Sequence, residues 1–334
     1  MSDFRIVRGF EDVWRSPVRP AVWRRETVLR PRPMSDVKAR LSRIVRRAPE
    51  VMVKVAGRTH DPGRLAAHLN YITRNGELSA EGRDGWPIEV KDLTEDWAAA
   101  ARSDPRRRAN SPFSFRVILS MPAGTDALRL RDAARAFATA MFEDRFDYVF
   151  VLHTDVPHPH IHLTIKAQGD HGERLDPRHA DLAAWRQAFA QALRDHGVEA
   201  EATPRRARGV TRKPESAAVY RMRERAKRGQ GAMPEVLRQA YREAAQAAFA
   251  GDEGARIWER RMAARQAKIR TLYLAQARLL QASSVLEDRE LGAAVEAFVH
   301  NMAPPDSRRL ALARELRAAN RGLARADESK DRGR

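Results

Sequence analysis

Two short apolar runs, Tyr148 to His153 and Ile161 to Ala167, constrain this chain more than anything else in it. Both are rich in β-branched and aromatic residues, and the spacer Thr154 to Pro159 contains two prolines. Runs of this composition around a proline-bearing turn pair as an antiparallel hairpin. The spacer and strand ends read His153-Thr154-Asp155-Val156-Pro157-His158-Pro159-His160-Ile161-His162, four imidazoles and a carboxylate within ten positions. Side chains alternate along a strand at about 3.3 Å per residue, so His160 and His162 share a face while Ile161 points into a core. If the turn reverses the chain, His153 arrives opposite that pair and completes a three-imidazole face for a divalent cation.

Three neutral ligands leave coordination positions open, which suits a catalytic ion better than a closed structural site. Asp155 lies two residues from His153, placed either to fix an imidazole tautomer or to orient or deprotonate a nucleophile. His158 sits in the turn beside two prolines, as a substitute ligand or an exposed side chain. His60, His68, His171, His179, His196 and His300 lack such company and read as surface or satisfied core residues. The chain has no cysteine, which excludes disulfides, thiolate catalysis and sulfur-built zinc sites.

A net charge of +18 over 334 residues points to a polyanion, with nucleic acid the leading candidate. No run of about 18 apolar residues is present, so no membrane insertion is expected. The N-terminus lacks a secretory pattern, and the expected location is the cytoplasm. The length exceeds one ordinary domain. Residues 1–50 read as a basic, partly flexible arm carrying Trp14-Arg15-Ser16-Pro17 and Arg30-Pro31-Arg32-Pro33. Residues 51–209 read as the catalytic domain and 210–334 as a basic helical region. Within the middle segment, the patterns predict a strand at 51–55, a helix over 63–72 ended by Arg74-Asn75-Gly76, and a strand at 113–121. They also predict a helix through Phe142 using Leu128, Ala133, Ala134 and Phe137, and a helix over 181–196 closed by Gly197. Arg205, Arg206, Arg208, Arg212, Lys213, Arg221, Arg223, Arg225, Lys227 and Arg228 crowd the boundary, as a solvated face or a DNA contact. Beyond Met233 the Ala, Leu, Arg and Glu content signals long helices.

The run of His, Asp and His-x-His on a strand pair resembles the third motif of the relaxases, the mobilisation nucleases of the HUH endonuclease type. It is especially similar to the branch that includes the T-DNA border nuclease of Agrobacterium and plasmid mobilisation relaxases. The resemblance implies an α+β fold, an antiparallel sheet with a central His-bearing hairpin flanked by helices, followed by an all-α C-terminal region. It implies that His153, His160 and His162 are the metal ligands, with Mg²⁺ or Mn²⁺ as the ion. The family's first motif is resembled by Tyr71-Ile72-Thr73-Arg74-Asn75-Gly76, making Tyr71 the nucleophile. Its second is resembled by Val117-Ile118-Leu119-Ser120-Met121-Pro122, placing Ser120 at the DNA backbone. The likeness spans about Val51 to Gly209.

Five tyrosines allow a check on Tyr71. Tyr148 is an odd number of residues from His153 and so faces the core. Tyr220, Tyr241 and Tyr273 fall in the helical region. Tyr71 alone ends a helix inside the catalytic segment, although a buried tyrosine packed with Leu69 is the competing reading. The activity implied is site- and strand-specific nicking of single-stranded origin-of-transfer DNA, through a 5′-phosphotyrosyl intermediate, in conjugative transfer or mobilisation. Partners implied are accessory DNA-binding proteins and a type IV coupling protein. Arg74 and Arg116 are candidate phosphate clamps, or ordinary surface arginines. Two alternatives remain: a non-catalytic DNA-binding or replication accessory protein, and a His-x-Thr phosphoesterase built on His162-Leu163-Thr164. The latter class needs a second such element, and the chain has none.

Overall fold

The computed structural model describes residues 4–14, 34–249 and 256–331. The fold is α+β, and its centre is a five-stranded antiparallel sheet. The strands are β1 (Met52–Thr59), β2 (Glu81–Gly82), β3 (Ser114–Ser120), β4 (Tyr148–His153) and β5 (His160–Lys166), in the order β1-β3-β5-β4-β2. The helices of this unit are α1 (Met34–Val45), α2 (Pro62–Thr73), α3 (Val90–Arg102), α4 (Ala127–Phe142) and α5 (His179–Asp195).

The hairpin expected around the two prolines is present. Leu152 pairs with Ile161 and His153 with His160, so alternation sorts the two strands into two faces. Tyr148, Phe150, Ile161, Leu163 and Ile165 join Phe115, Val117 and Leu119 of β3 in one core. Helices α4 and α5 close it with Phe137, Phe142, Trp185 and Phe189. Phe142 meets Trp185 edge-on at 5.3 Å and Phe137 meets Phe189 at 5.7 Å, the geometry that aromatic quadrupoles favour. At the start of α4, Asp126 accepts hydrogen bonds from the Leu128 and Arg129 N–H groups, a cap worth about 1 kcal/mol. Leu128, expected in the buried stripe, is exposed instead. Leu130, roughly 200° further round the helix, takes its place.

The opposite face of the sheet is only half covered. Leu65, Leu69 and Ile72 of α2 and Leu93, Trp97 and Ala98 of α3 pack on Val149 and Val151 of β4. Met52, Lys54, Arg116 and Ile118 share that face on β1 and β3, in register with Ser120, His162 and Thr164. Met52 and Lys54 are exposed, Arg116 and Ile118 half-buried. A bulge between Val55 and Gly57 restores the alternation, and a Cβ at Gly57 would collide with the Arg116 guanidinium. The bare half of the sheet is the floor beside which the histidines stand.

The division between the two compact units falls at Thr203/Pro204, and residues 4–14 belong with the second. Two parts of the segment read as an arm are folded. Phe10–Val13 form a 3₁₀ turn; Phe10 stands edge-on to Tyr273 at 5.3 Å, and Trp14 Nε1 donates to Tyr273 Oη at 3.1 Å. Helix α1 carries a buried stripe of Val37, Leu41 and Ile44, and Arg43 pairs with buried Glu201 at 2.9 Å. Apolar residues at helical spacing decide both places, despite the surrounding arginines. Arg15-Ser16-Pro17 and Arg30-Pro31-Arg32-Pro33 lie outside the described residues. Residues 205–209 also belong to the second unit: Ala207 is buried, Gln266 Nε2 donates to the Arg206 carbonyl at 3.0 Å, and Gly209 lies against Met302.

That second unit is helical: α6 (Ala217–Lys227), α7 (Glu235–Phe249), α8 (Ile257–Gln281), α9 (Leu286–His300) and α10 (Arg308–Asp331). Glu259 is buried within it, pairing with Arg309 at 2.8 Å and accepting from Ser307 Oγ, so its charge is compensated. Against a burial that would raise it, these partners and the Arg256 N–H hold the Glu259 carboxyl down at about 2. Among the described residues, no helix is long and apolar enough to cross a membrane.

Candidate active site

The cross-strand register brings His153 opposite His160, with His162 two positions along on the same face. Ring centroids are separated by 4.5 Å (His153–His162), 5.1 Å (His160–His162) and 5.2 Å (His153–His160). One nitrogen from each of the three lies within 4.8 Å of the others, the geometry of a cation-binding cluster. Backbone carbonyls set two of the tautomers. His153 Nε2 donates to the Ile72 carbonyl at 2.7 Å, so its Nδ1 keeps the lone pair. His160 Nδ1 donates to the His158 carbonyl at 3.1 Å, which frees Nε2. Burial first, then the neighbouring imidazoles of His153, His160 and His68, lower the His162 pKa to about 4. It is therefore neutral at neutral pH, as a ligand must be. Three clustered imidazoles, two of them with tautomers set by backbone carbonyls, fit a divalent cation with positions left over.

Tyr71 lies in the last turn of α2, one residue before the carbonyl that holds His153. Leu69 and Ile72 are buried in the core, whereas Tyr71 is 73% exposed, so the reading of a tyrosine packed on the sheet does not hold. Asp61 caps the start of this helix by accepting from the Arg64 N–H, with Pro62 at its first position. Its end is abrupt because Arg74 (φ 52°) and Asn75 (φ 55°) are both left-handed. For an arginine that conformation costs roughly 1–2 kcal/mol. The Arg74 side chain is held by Asp155, Nη2 to Oδ2 at 2.8 Å. Asp155 also lies 3.8 Å from His153 Nδ1. Although desolvation raises it, the Asp155 backbone N–H, Arg74 and the nearby imidazoles hold its carboxyl below the usual range. That makes it a stable anion and a weak base.

Ser120 is buried, directly across from His160, its hydroxyl 3.4 Å from the Pro159 and Met121 carbonyls. Arg116 lies across from Thr164 on the same face, over Gly57. The His158 side chain is exposed, and it is its carbonyl that touches the cluster. His68 belongs to this neighbourhood although it read as an ordinary histidine. Its Nε2 hydrogen-bonds Thr164 Oγ1 at 3.2 Å, its ring is 6.5 Å from that of His162, and burial with Arg116 lowers its pKa to about 4. The signal available was its place three residues before Tyr71, one helical turn away.

Residues 71–198 match the model of the MobA/VirD2-like nuclease domain of relaxases. This segment is thus similar to the nuclease domain of relaxases. The T-DNA border endonuclease VirD2 of Rhizobium radiobacter is 26% identical over 200 residues, covering 53% of this chain and 47% of that protein. VirD2 of Agrobacterium fabrum is 26% identical over 198 residues, covering 53% and 44%. The chain thus matches a little under half the length of these relatives. Among solved structures, the MobM relaxase domain (MOBV; Mob_Pre) bound to plasmid pMV158 oriT DNA, with Mn bound, is similar with a TM-score of 0.38 and 14% identity. It covers 52% of this chain and 97% of that one. The matched relaxase segment runs from Tyr71 through the histidine hairpin to the end of α5, and leaves out the helical unit.

Proposed function

We propose that this chain is a metal-dependent relaxase that nicks one DNA strand by transesterification onto Tyr71. The observation that carries the reading is the 2.7 Å hydrogen bond from His153 to the carbonyl of Ile72, which ties an imidazole of the cluster to the residue beside an exposed tyrosine. In the proposed step Tyr71 Oη forms a bond to the scissile phosphorus, and the bond from phosphorus to the 3′-oxygen breaks. The phenolic proton passes to water and the leaving 3′-oxygen takes one from water, so the products are a 5′-phosphotyrosyl adduct and a free 3′-hydroxyl with no net proton change. A phenol titrates near 10, so the attack needs a charged environment that favours the phenolate. A divalent ion on His153, His160 and His162, Mg²⁺ or Mn²⁺, would supply that and neutralise charge developing on the phosphate. Asp155 orients Arg74 rather than serving as the base, because its lowered pKa makes it a weak proton acceptor. Arg74 and Arg116 clamp phosphates, and Ser120 contacts the backbone next to the nick.

The substrate proposed is a single-stranded origin of transfer, in mobilisation or conjugation, with accessory DNA-binding proteins and a type IV coupling protein as partners. The test is incubation with labelled single-stranded origin DNA and Mg²⁺ or Mn²⁺, followed by mass spectrometry of the adduct. A phosphotyrosyl peptide containing Tyr71 is expected, with none in Tyr71→Phe. Undiminished nicking by that variant, or an adduct on another tyrosine, would overturn the assignment.

A further inference from the structure

The arginine-rich stretch after Pro204 plays no part in the nicking chemistry, yet it borders a cavity of about 450 Å³ in the helical unit. That lies within the roughly 300–1,000 Å³ of pockets that hold small organic groups. Its apolar wall is Trp258, Val236 and Met262; its cations are Arg212, Lys213 and Arg308. The one carboxylate in the lining, Glu215, pairs with Arg223 at 3.1 Å and lies 3.7 Å from Arg308. Among the described residues, Arg212 and Lys213 have no carboxylate partner, so the cavity retains positive charge. Trp258 is half exposed, a flat apolar surface beside those cations. The lining continues into α6, which has no buried residue and exposes Arg221, Arg225 and Lys227, with exposed Arg228 at its C-terminal cap.

From this we infer a second nucleic-acid site, in which an unpaired base of a single DNA strand stacks on Trp258 while Arg212, Lys213 and Arg308 hold the adjoining phosphates. The chemistry selects a single strand, because a duplex keeps its bases stacked on one another and unavailable to a tryptophan slot. An acidic peptide would satisfy the cations but leave the aromatic wall without a planar partner. Helix α6 extends the positive track along the backbone of the strand. The inference is independent of the phosphotyrosyl chemistry, since no residue of the histidine cluster is involved.

The test uses the full chain with an oligothymidylate carrying 5-iodouracil. Irradiation and peptide mapping should place a cross-link on Trp258. By fluorescence anisotropy, Trp258→Ala should weaken binding of the unmodified oligomer about 10-fold, the scale of one lost base stack. Trp258→Phe, which keeps an aromatic face, should stay within about 3-fold of wild type on the same reasoning. Replacing both Arg212 and Lys213 by Gln should reduce the slope of log K against log salt by about 1.4, for two phosphates released from a single strand. Cross-links confined to residues 51–203 would overturn the inference. So would a Trp258-dependent affinity equal for duplex DNA or for an acidic peptide. The wild-type cross-link decides the matter even if Trp258→Ala fails to fold.

Discussion

The two faces of the β4–β5 hairpin are built from alternate residues of the same strands and obey opposite rules. On one, Ile161, Leu163 and Ile165 are shut under two helices, where shape and apolar area set stability. On the other, His160 and His162 are half-buried and Thr164 is buried against His68 of α2, and polar groups are held by carbonyls and hydroxyls. The contrast teaches that a one-residue alternation can separate what folds the domain from what acts in it.

Substitutions on the two faces should therefore separate activity from stability. The largest effect is expected for His162→Ala: metal-dependent nicking falls by about 10³-fold or more, and calorimetric titration shows no Mn²⁺ binding, since a ligand is lost outright. Its melting temperature without metal should change little. A large loss of stability would show that the histidine face also carries the fold. The mirror experiment is Ile161→Ala, which should cost about 2–5 kcal/mol in denaturant unfolding as a core truncation. The folded fraction should still bind Mn²⁺. Metal removal comes next: a chelator should stop nicking and lower the melting point by linkage, about 2.7 kcal/mol of stability when the ion had been at 100 times its Kd. Stability independent of metal would break the idea that the polar face gains from being filled.

A smaller effect is expected from pH. His68 and His162 are held at about 4 in the metal-free fold, against about 6.5 in the unfolded chain. Between those values the unfolded chain binds protons that the folded chain refuses, so stability falls as pH drops through that window and is unaffected above it. Thermal melts from pH 4 to pH 7 should show this slope, and His68→Asn should flatten it. The smallest effect on stability is expected for Arg74→Gly. Glycine relieves the left-handed backbone, about 1–2 kcal/mol, while an exposed ion pair worth up to about 1 kcal/mol is lost. The melting point should hold or rise slightly while nicking slows by up to about 100-fold, the scale of a misplacement of about 1 Å. A marked fall in melting point would mean that the Arg74–Asp155 pair holds the turn together.

The histidine face was legible because alternation is a local rule: His160, Ile161 and His162 declare their sides whatever surrounds them. The elements missed are those decided at a distance. Helix α3 carries Leu93, Trp97 and Ala98 at helical spacing, a signal present in the sequence but interrupted by acids. Strand β2 is two residues long and exists because Glu81 and Gly82 find the free edge of β4. The order β1-β3-β5-β4-β2 has no local signature at all. Residues 4–14 looked like part of an arm because arginine and proline dominate the surrounding sequence, while Phe10 and Trp14 find their partner, Tyr273, more than 250 positions away. His68 needed the packing of α2 on the sheet to become a neighbour of His162.

The hydrogen bond between His153 and Ile72 has a consequence for how this site breathes. Fraying of the helix end at residues 72–74 would release the Nε2 proton from its acceptor and let the ring turn, so the tether beside Tyr71 and the imidazole's aim would be lost in one event. Thermodynamic reciprocity then makes whatever steadies the ring suppress that fraying to the same degree. The amides of Asn75 and Leu78, bonded to the Asn70 and Thr73 carbonyls, would report it as slowed hydrogen exchange when Mn²⁺ is added.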